Sequence, residues 1–157
     1  MSIPIITDEW LFSDICGESG LALQEQAIQF LLRVLQVCDK IVIVRRSPFE
    51  EKIYKLFKIS ARNLRLKAFS QFFKTAIFAN SLKATFVNIE CLPQLPNKLL
   101  EIVPRDDWYL IQAHLKISNS IIITTDGKLK DRLSNYKFIK IYIRDSFIRD
   151  YLHRELK

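Results

Sequence analysis

Short, continuously apolar runs alternate along this chain with longer stretches in which apolar residues recur every three or four positions. The first pattern suits strands buried on both faces of a parallel sheet, and the second suits helices lying on such a sheet. Ile3 to Thr7 predicts a first strand that ends at Asp8, and Glu9 to Phe12 continue into a turn or short helix. Leu21 to Val37 predicts a helix, because Leu21, Leu23, Ala27, Phe30, Leu31, Val34 and Leu35 follow helical spacing. Ile41 to Val44 reads as the second buried strand. Ser47 and Pro48 read as the cap and first residue of a helix, with Glu50 and Glu51 in its first turn. From Phe49 to Phe78 the helical spacing persists, which predicts two helices with a bend near Ser60. A third strand is expected within Ala84 to Ile89. A proline-punctuated loop from Cys91 to Pro96 then leads to a short helix, Asn97 to Ile102.

Pro104 and the carboxylates Asp106 and Asp107 mark another helix start. Proline lacks a donor that the first turn does not need, and acids suit the positive end of the helix dipole. Leu110, Ile111, Leu115 and Ile117 supply its apolar stripe, Ser118 to Ser120 break it, and Ile121 to Ile123 form a β-branched strand leading to Asp126. Lys128 to Leu133 predicts a short helix, Phe138 to Ile143 alternates as an edge strand would, and Ser146 to Leu156 predicts an amphipathic helix. This regular alternation implies a three-layer αβα fold around a mainly parallel sheet of four to five strands, in a single domain spanning residues 1–157.

Composition narrows the classes. With 49% hydrophobic residues the chain can bury a core, so disorder is excluded. No apolar run reaches the roughly 18 to 20 residues that span a bilayer, and the N-terminus lacks a basic segment followed by an apolar one. A soluble cytoplasmic protein without a membrane partner is expected. Cys16, Cys38 and Cys91 form no C-x-x-C pair, so they read as small core residues rather than zinc ligands or disulfides. Three glycines leave no Gly-rich phosphate loop, and no nucleophile elbow is present. The net charge of +7 favours an anionic partner such as nucleic acid. Between Arg45 and Lys74 stand nine basic residues against two acids, interleaved with Tyr54, Phe57, Phe69, Phe72 and Phe73. The aromatics suit a core and the cations a solvated face. As a cluster, with Arg45, Arg46, Arg62 and Arg65 at its heart, the basic face could track phosphates and release their counterions.

Against this basic background the acids at the tips of elements carry the chemistry. If the strands ending at Thr7 and Ile123 are neighbours, Asp8 and Asp126 meet at one sheet edge, with Asp106 or Asp107 and Glu50 or Glu51 brought by adjacent helix starts. Converging carboxylates raise one another's pKa, and a divalent cation relieves the repulsion. Hard oxygen ligands suit Mg²⁺ or Mn²⁺, ions that serve phosphodiester hydrolysis. Taken singly, several acids have local roles: Asp106 as a cap, Glu50 and Glu51 as first-turn acids, Asp126 as a turn former. Asp8 has no such role. Asp14, Asp131 and Asp145 read as surface or capping residues, and His114 and His153 as structural or exposed.

Asp107-Trp-Tyr-Leu-Ile-Gln-Ala, followed nineteen positions after Asp107 by the aspartate of Ile-Ile-Ile-Thr-Thr-Asp126, resembles the C-terminal half of PIN-domain ribonucleases. Ile-Ile-Thr-Asp8 is similar to that family's first strand and aspartate. Glu51 falls near its second acid, with Glu50 a rival one residue earlier, and Trp10 stands where the family often has a small polar residue. The resemblance implies a PIN-like fold with Asp8, Glu51, Asp107 and Asp126 as catalytic acids. Asp8, Asp107 and Asp126 would hold one or two Mg²⁺ or Mn²⁺ ions, and Thr125 or its neighbour Thr124 would assist in positioning substrate. The implied activity is endonucleolytic cleavage of RNA, either by a toxin with an antitoxin-like protein partner or by an RNA-processing factor, and many members form homodimers. Two other classes remain. One is a catalytically inactive PIN-like module that binds RNA or protein through the basic helices. The other is a receiver-like domain with an acidic Mg²⁺ pocket, against which stands the lack of a suitably placed strand-end lysine.

Overall fold

Five parallel strands form one sheet in the computed structural model, which describes residues 1–59 and 62–154. They are β1 (Pro4–Thr7), β2 (Lys40–Arg45), β3 (Ala84–Asn88), β4 (Ile121–Thr124) and β5 (Ile141–Ile143), arranged β3-β2-β1-β4-β5. Helices α1 (Trp10–Ile15) and α2 (Leu21–Gln36) connect β1 to β2. From β2, α3 (Pro48–Ile59) and α4 (Leu64–Phe73) lead through a π turn at Lys74–Phe78 to β3. Helices α5 (Asn97–Ile102) and α6 (Trp108–Lys116) cross back to β4, α7 (Gly127–Arg132) joins β4 to β5, and α8 (Arg144–Leu152) follows. The chain thus steps outward from β1 to β3, then returns past β1 to β4 and β5. Right-handed crossovers in these opposite directions put their helices on opposite faces of the sheet. The three-layer α/β architecture read from the sequence is the one observed, with every strand pairing parallel.

The apolar runs sit where both faces are covered. Ile41 to Val44 and all four residues of β4 are buried, and so are Ile5, Ile6 and Thr7. Beneath α3 and α4, Phe49, Phe69 and Phe73 of the basic third join the core, while Phe57 and Phe72 are partly buried against it and Tyr54, expected in the core, is exposed. Phe73 meets Phe12 edge-on at 5.2 Å, and Phe49 lies 5.1 Å from the same ring. The start of α3 is fixed locally. Ser47 Oγ accepts from the Glu50 amide at 3.3 Å, and the Glu50 carboxylate accepts from the Arg46 amide at 3.2 Å, which holds Arg46 in a left-handed conformation at φ 66°.

Some expectations change. The edge strand begins at Ile141 rather than Phe138; His114 Nε2, 3.2 Å from both the Lys140 amide and the Phe138 carbonyl, bonds one or the other according to its tautomer and so ties that segment to α6. The last helix starts at Arg144, two residues earlier than expected, while its expected end at Leu156 and the bend near Ser60 lie outside the described residues. Cys38 and Cys91 are exposed and Cys16 is half-buried, so none is a fully buried core residue. Leu21 belongs to the apolar face of α2 by spacing but stays in solvent, the buried part of that face running from Ala27 to Val34. Asp14 is buried rather than superficial, and its carboxylate pairs with Arg144 at 2.9 Å. No described helix is long and apolar enough to cross a membrane.

Candidate functional site

A strand order that reverses at β1 leaves a crevice outside the carboxyl ends of β1 and β4, where open α/β sheets bind ligands. The register pairs Thr7 with Ile123, so the next residues on each strand, Asp8 and Thr124, emerge side by side at that crevice. They are joined directly. The buried Thr124 hydroxyl donates to Asp8 Oδ2 at 2.8 Å and accepts from the Asp126 amide at 3.0 Å. The Trp10 amide donates to Asp8 Oδ1 at 3.0 Å, and Asp126 Oδ1 accepts from the Leu129 amide at 3.0 Å to cap α7. Both carboxylates are therefore oriented by the fold.

The third carboxylate comes from the opposite wall. Asp107 occupies the N-cap position of α6, yet its side chain makes no capping hydrogen bond, so the helix dipole is the only local role left to it and its carboxylate oxygens are not engaged by the helix start. Asp8, Asp107 and Asp126, with Glu9, Trp10, Asp106, Tyr109 and Thr125, line a cleft of about 320 Å³. None of the lining residues is cationic. Electrostatics follow from this. Burial, and secondarily the charges of Asp107 and Glu9, push the Asp8 carboxyl up to about 6 against the opposing hydrogen bonds from Trp10 and Thr124. Burial followed by the charges of Asp126, Asp106 and Glu9 raises Asp107. Tyr109 is raised as well, first by burial and then by Asp8, Glu9 and Asp107, so its phenol stays protonated. The pocket is an acceptor-rich, negatively charged wall in a basic chain.

Trp10, which replaces a small polar residue of the resembled pattern, does not project across this cleft. Its ring packs 6.2 Å from Phe30 under the Arg144 guanidinium, and its indole N–H donates to the Ile123 carbonyl at 2.9 Å. It pins the end of β1 to β4. The acids after β2 are not brought in. Glu51 lies exposed on α3, and the buried Glu50 is taken up by the Arg46 amide and the Arg45 guanidinium (3.5 Å); neither lines the cleft. Of the basic residues singled out, Arg45 stacks over Phe86 at 4.3 Å, Arg46 pairs with Glu90, and Arg62 and Arg65 are exposed around the start of α4. Thr125 is exposed at the pocket wall while Thr124 makes the buried link, so the two adjacent threonines divide what the sequence could not separate.

Whether these residues suit a divalent ion turns on their donor set. Among the described residues, no three Asp, Glu, His or Cys side chains are gathered tightly enough to enclose an ion as they stand. Mg²⁺ and its analogues keep several waters and take only one or two carboxylates directly, so a hydrated ion fits an open carboxylate wall better than a closed cage. Asp107, free of any capping bond, and Asp8, held near its point of ionisation, are the acids best placed to gain from a cation. Periodicity and spacing do not single out Tyr109 and Glu9, since what marks them is burial or position against the cleft rather than pattern. No known protein-family model matches the chain, and no curated protein matches it either.

Proposed function

We propose that this chain is a metal-dependent endoribonuclease of the PIN type, with Asp8, Asp107 and Asp126 at its centre. The observation that carries the reading is the convergence of these three acids, from β1, α6 and the end of β4, on the crevice where the strand order reverses. Mg²⁺ or Mn²⁺ held at this wall, by one or two of Asp8, Asp107 and Asp126 directly and by the others through the ion's waters, would polarise the phosphodiester and lower the pKa of an attacking water. The residues of the chain supply orientation. Thr124 fixes Asp8 and the Asp126 backbone together, Trp10 fixes the level of Asp8, and Thr125 offers a hydroxyl at the wall. Glu51, exposed on α3, would act only on a ligand that extends beyond the cleft. The basic face of α3 and α4, with Arg62 and Arg65, supplies the counter-charge that draws RNA to an acidic site. An RNA-processing role or a toxin role with an antitoxin-like partner both follow from this chemistry.

The second reading is a catalytically inactive PIN-like module that binds RNA or protein. It is favoured by the engaged carboxylates of Asp8 and Asp126 and by the absence of Glu50 and Glu51 from the cleft. The experiment that separates the two is cleavage of a generic single-stranded RNA with Mn²⁺ and with EDTA. Mn²⁺-dependent cleavage that vanishes in Asp8→Asn and Asp126→Asn supports the nuclease. RNA binding without cleavage in any divalent metal, unchanged in both variants, supports the inactive module.

A further inference from the structure

Tyr109 is the second residue of α6, and it is only 6% exposed, where it forms part of the wall of the acidic cleft. Buried tyrosines ordinarily find a partner for the hydroxyl. Tyr151, equally deep, donates to Asp39 at 2.9 Å. The Tyr109 hydroxyl makes no hydrogen bond to a described residue, and it is not among the polar atoms sealed from solvent without a partner. The unused donor is therefore within reach of solvent, on a residue that lines the cleft and in the field of Asp8, Glu9 and Asp107. The other aromatic donor of the wall, the Trp10 indole, is already spent on the Ile123 carbonyl.

Donors are what this wall lacks. Ionised carboxylates only accept hydrogen bonds, and so do the non-bridging oxygens of a phosphodiester. A phosphodiester drawn into the cleft by bound cations would still face a wall of acceptors, apart from Thr125 and Tyr109. We propose that the Tyr109 hydroxyl donates a hydrogen bond to a non-bridging phosphodiester oxygen seated in the cleft, which makes it a substrate-positioning residue. This rests on the phosphodiesterase reading above.

Tyr109→Phe tests it, because the variant keeps the buried ring and removes only an oxygen that no described residue bonds. Thermal unfolding and Mn²⁺ affinity, measured by calorimetry without RNA, are expected to match wild type. On a short single-stranded RNA in Mn²⁺, KM is expected to rise about tenfold while kcat stays within about threefold, the signature of removing a hydrogen bond made equally before and during reaction. Wild-type kcat and KM in Tyr109→Phe would overturn the role of Tyr109 and leave the nuclease reading standing. Weakened Mn²⁺ binding in the variant would also overturn it, since the hydroxyl would then serve the ion. A wild-type protein that cleaves no RNA in any divalent metal would remove the nuclease reading and this proposal with it.

Discussion

Asp8 carries an energetic cost that the rest of the site explains. Its carboxyl is pushed up from 3.8 to about 6, so the folded protein holds a proton there more tightly than the unfolded chain does. The stability contributed by protonated Asp8 is fully present below about pH 4 and is lost as the pH rises through about 6. In EDTA the melting temperature should therefore fall across that window, corresponding to a loss of about 3 kcal/mol in stability. Asp8→Asn should flatten the fall and melt above wild type at pH 7.5; an unchanged pH profile would show that the carboxyl titrates normally. Thr124 makes the complementary prediction. Thr124→Val keeps the buried shape but strands the Asp126 amide and frees one Asp8 oxygen, so stability should drop by about 1 kcal/mol. Calorimetry should show Mn²⁺ affinity about tenfold weaker, as expected when an orienting hydrogen bond behind a metal ligand is removed.

At the scale of elements, strands and most helices are legible in the sequence because burial on both faces demands unbroken β-branched runs and surface helices demand a 3.6-residue period. Asp8 and Asp126 are legible for the same reason, since each lies at or just beyond the end of such a run. The acids of α3 are not. A carboxylate in a first helical turn is equally suited to capping and to ligand binding, and only the three-dimensional position of Glu50 against Arg45 and Arg46 shows that it serves the helix start. Asp14 reads as superficial in sequence because its partner, Arg144, is 130 positions away and no local pattern encodes the pair. That ion pair ties the start of α8 to α1 with both side chains largely buried. Arg144→Met should leave Asp14 buried without its partner and destabilise the fold by about 3 kcal/mol in denaturant unfolding at pH 7, and Asp14→Asn in the same background should recover part of the loss.

Across the whole molecule, charge is segregated. The carboxyl edge of the sheet at β1 and β4 is acidic, while the segment from Arg45 to Lys74 holds nine cations against two acids and buries Phe49, Phe69 and Phe73, leaving cations such as Arg62 and Arg65 in solvent. A polyanion drawn to such a surface by counterion release would still need cations to approach the acidic cleft. Replacing Arg62 and Arg65 with alanine should weaken RNA binding and reduce the slope of log affinity against log salt by about 0.7 for each phosphate of a single strand that is no longer neutralised. An unchanged slope in fluorescence titrations would place the RNA elsewhere.

Of the three acids proposed to form one ion-dependent catalytic centre, Asp107 is the most discriminating, because no capping bond of the fold depends on its carboxylate. The most direct measurement is the rate of single-stranded RNA cleavage by wild type and Asp107→Asn across a Mn²⁺ titration, with melting temperatures recorded alongside. Wild type should cleave in a Mn²⁺-dependent manner and the variant, folding as stably, should lose at least about 100-fold, in line with removal of an electrostatic group at the reacting centre. Cleavage by Asp107→Asn at the wild-type rate and the same Mn²⁺ dependence would contradict the proposed centre.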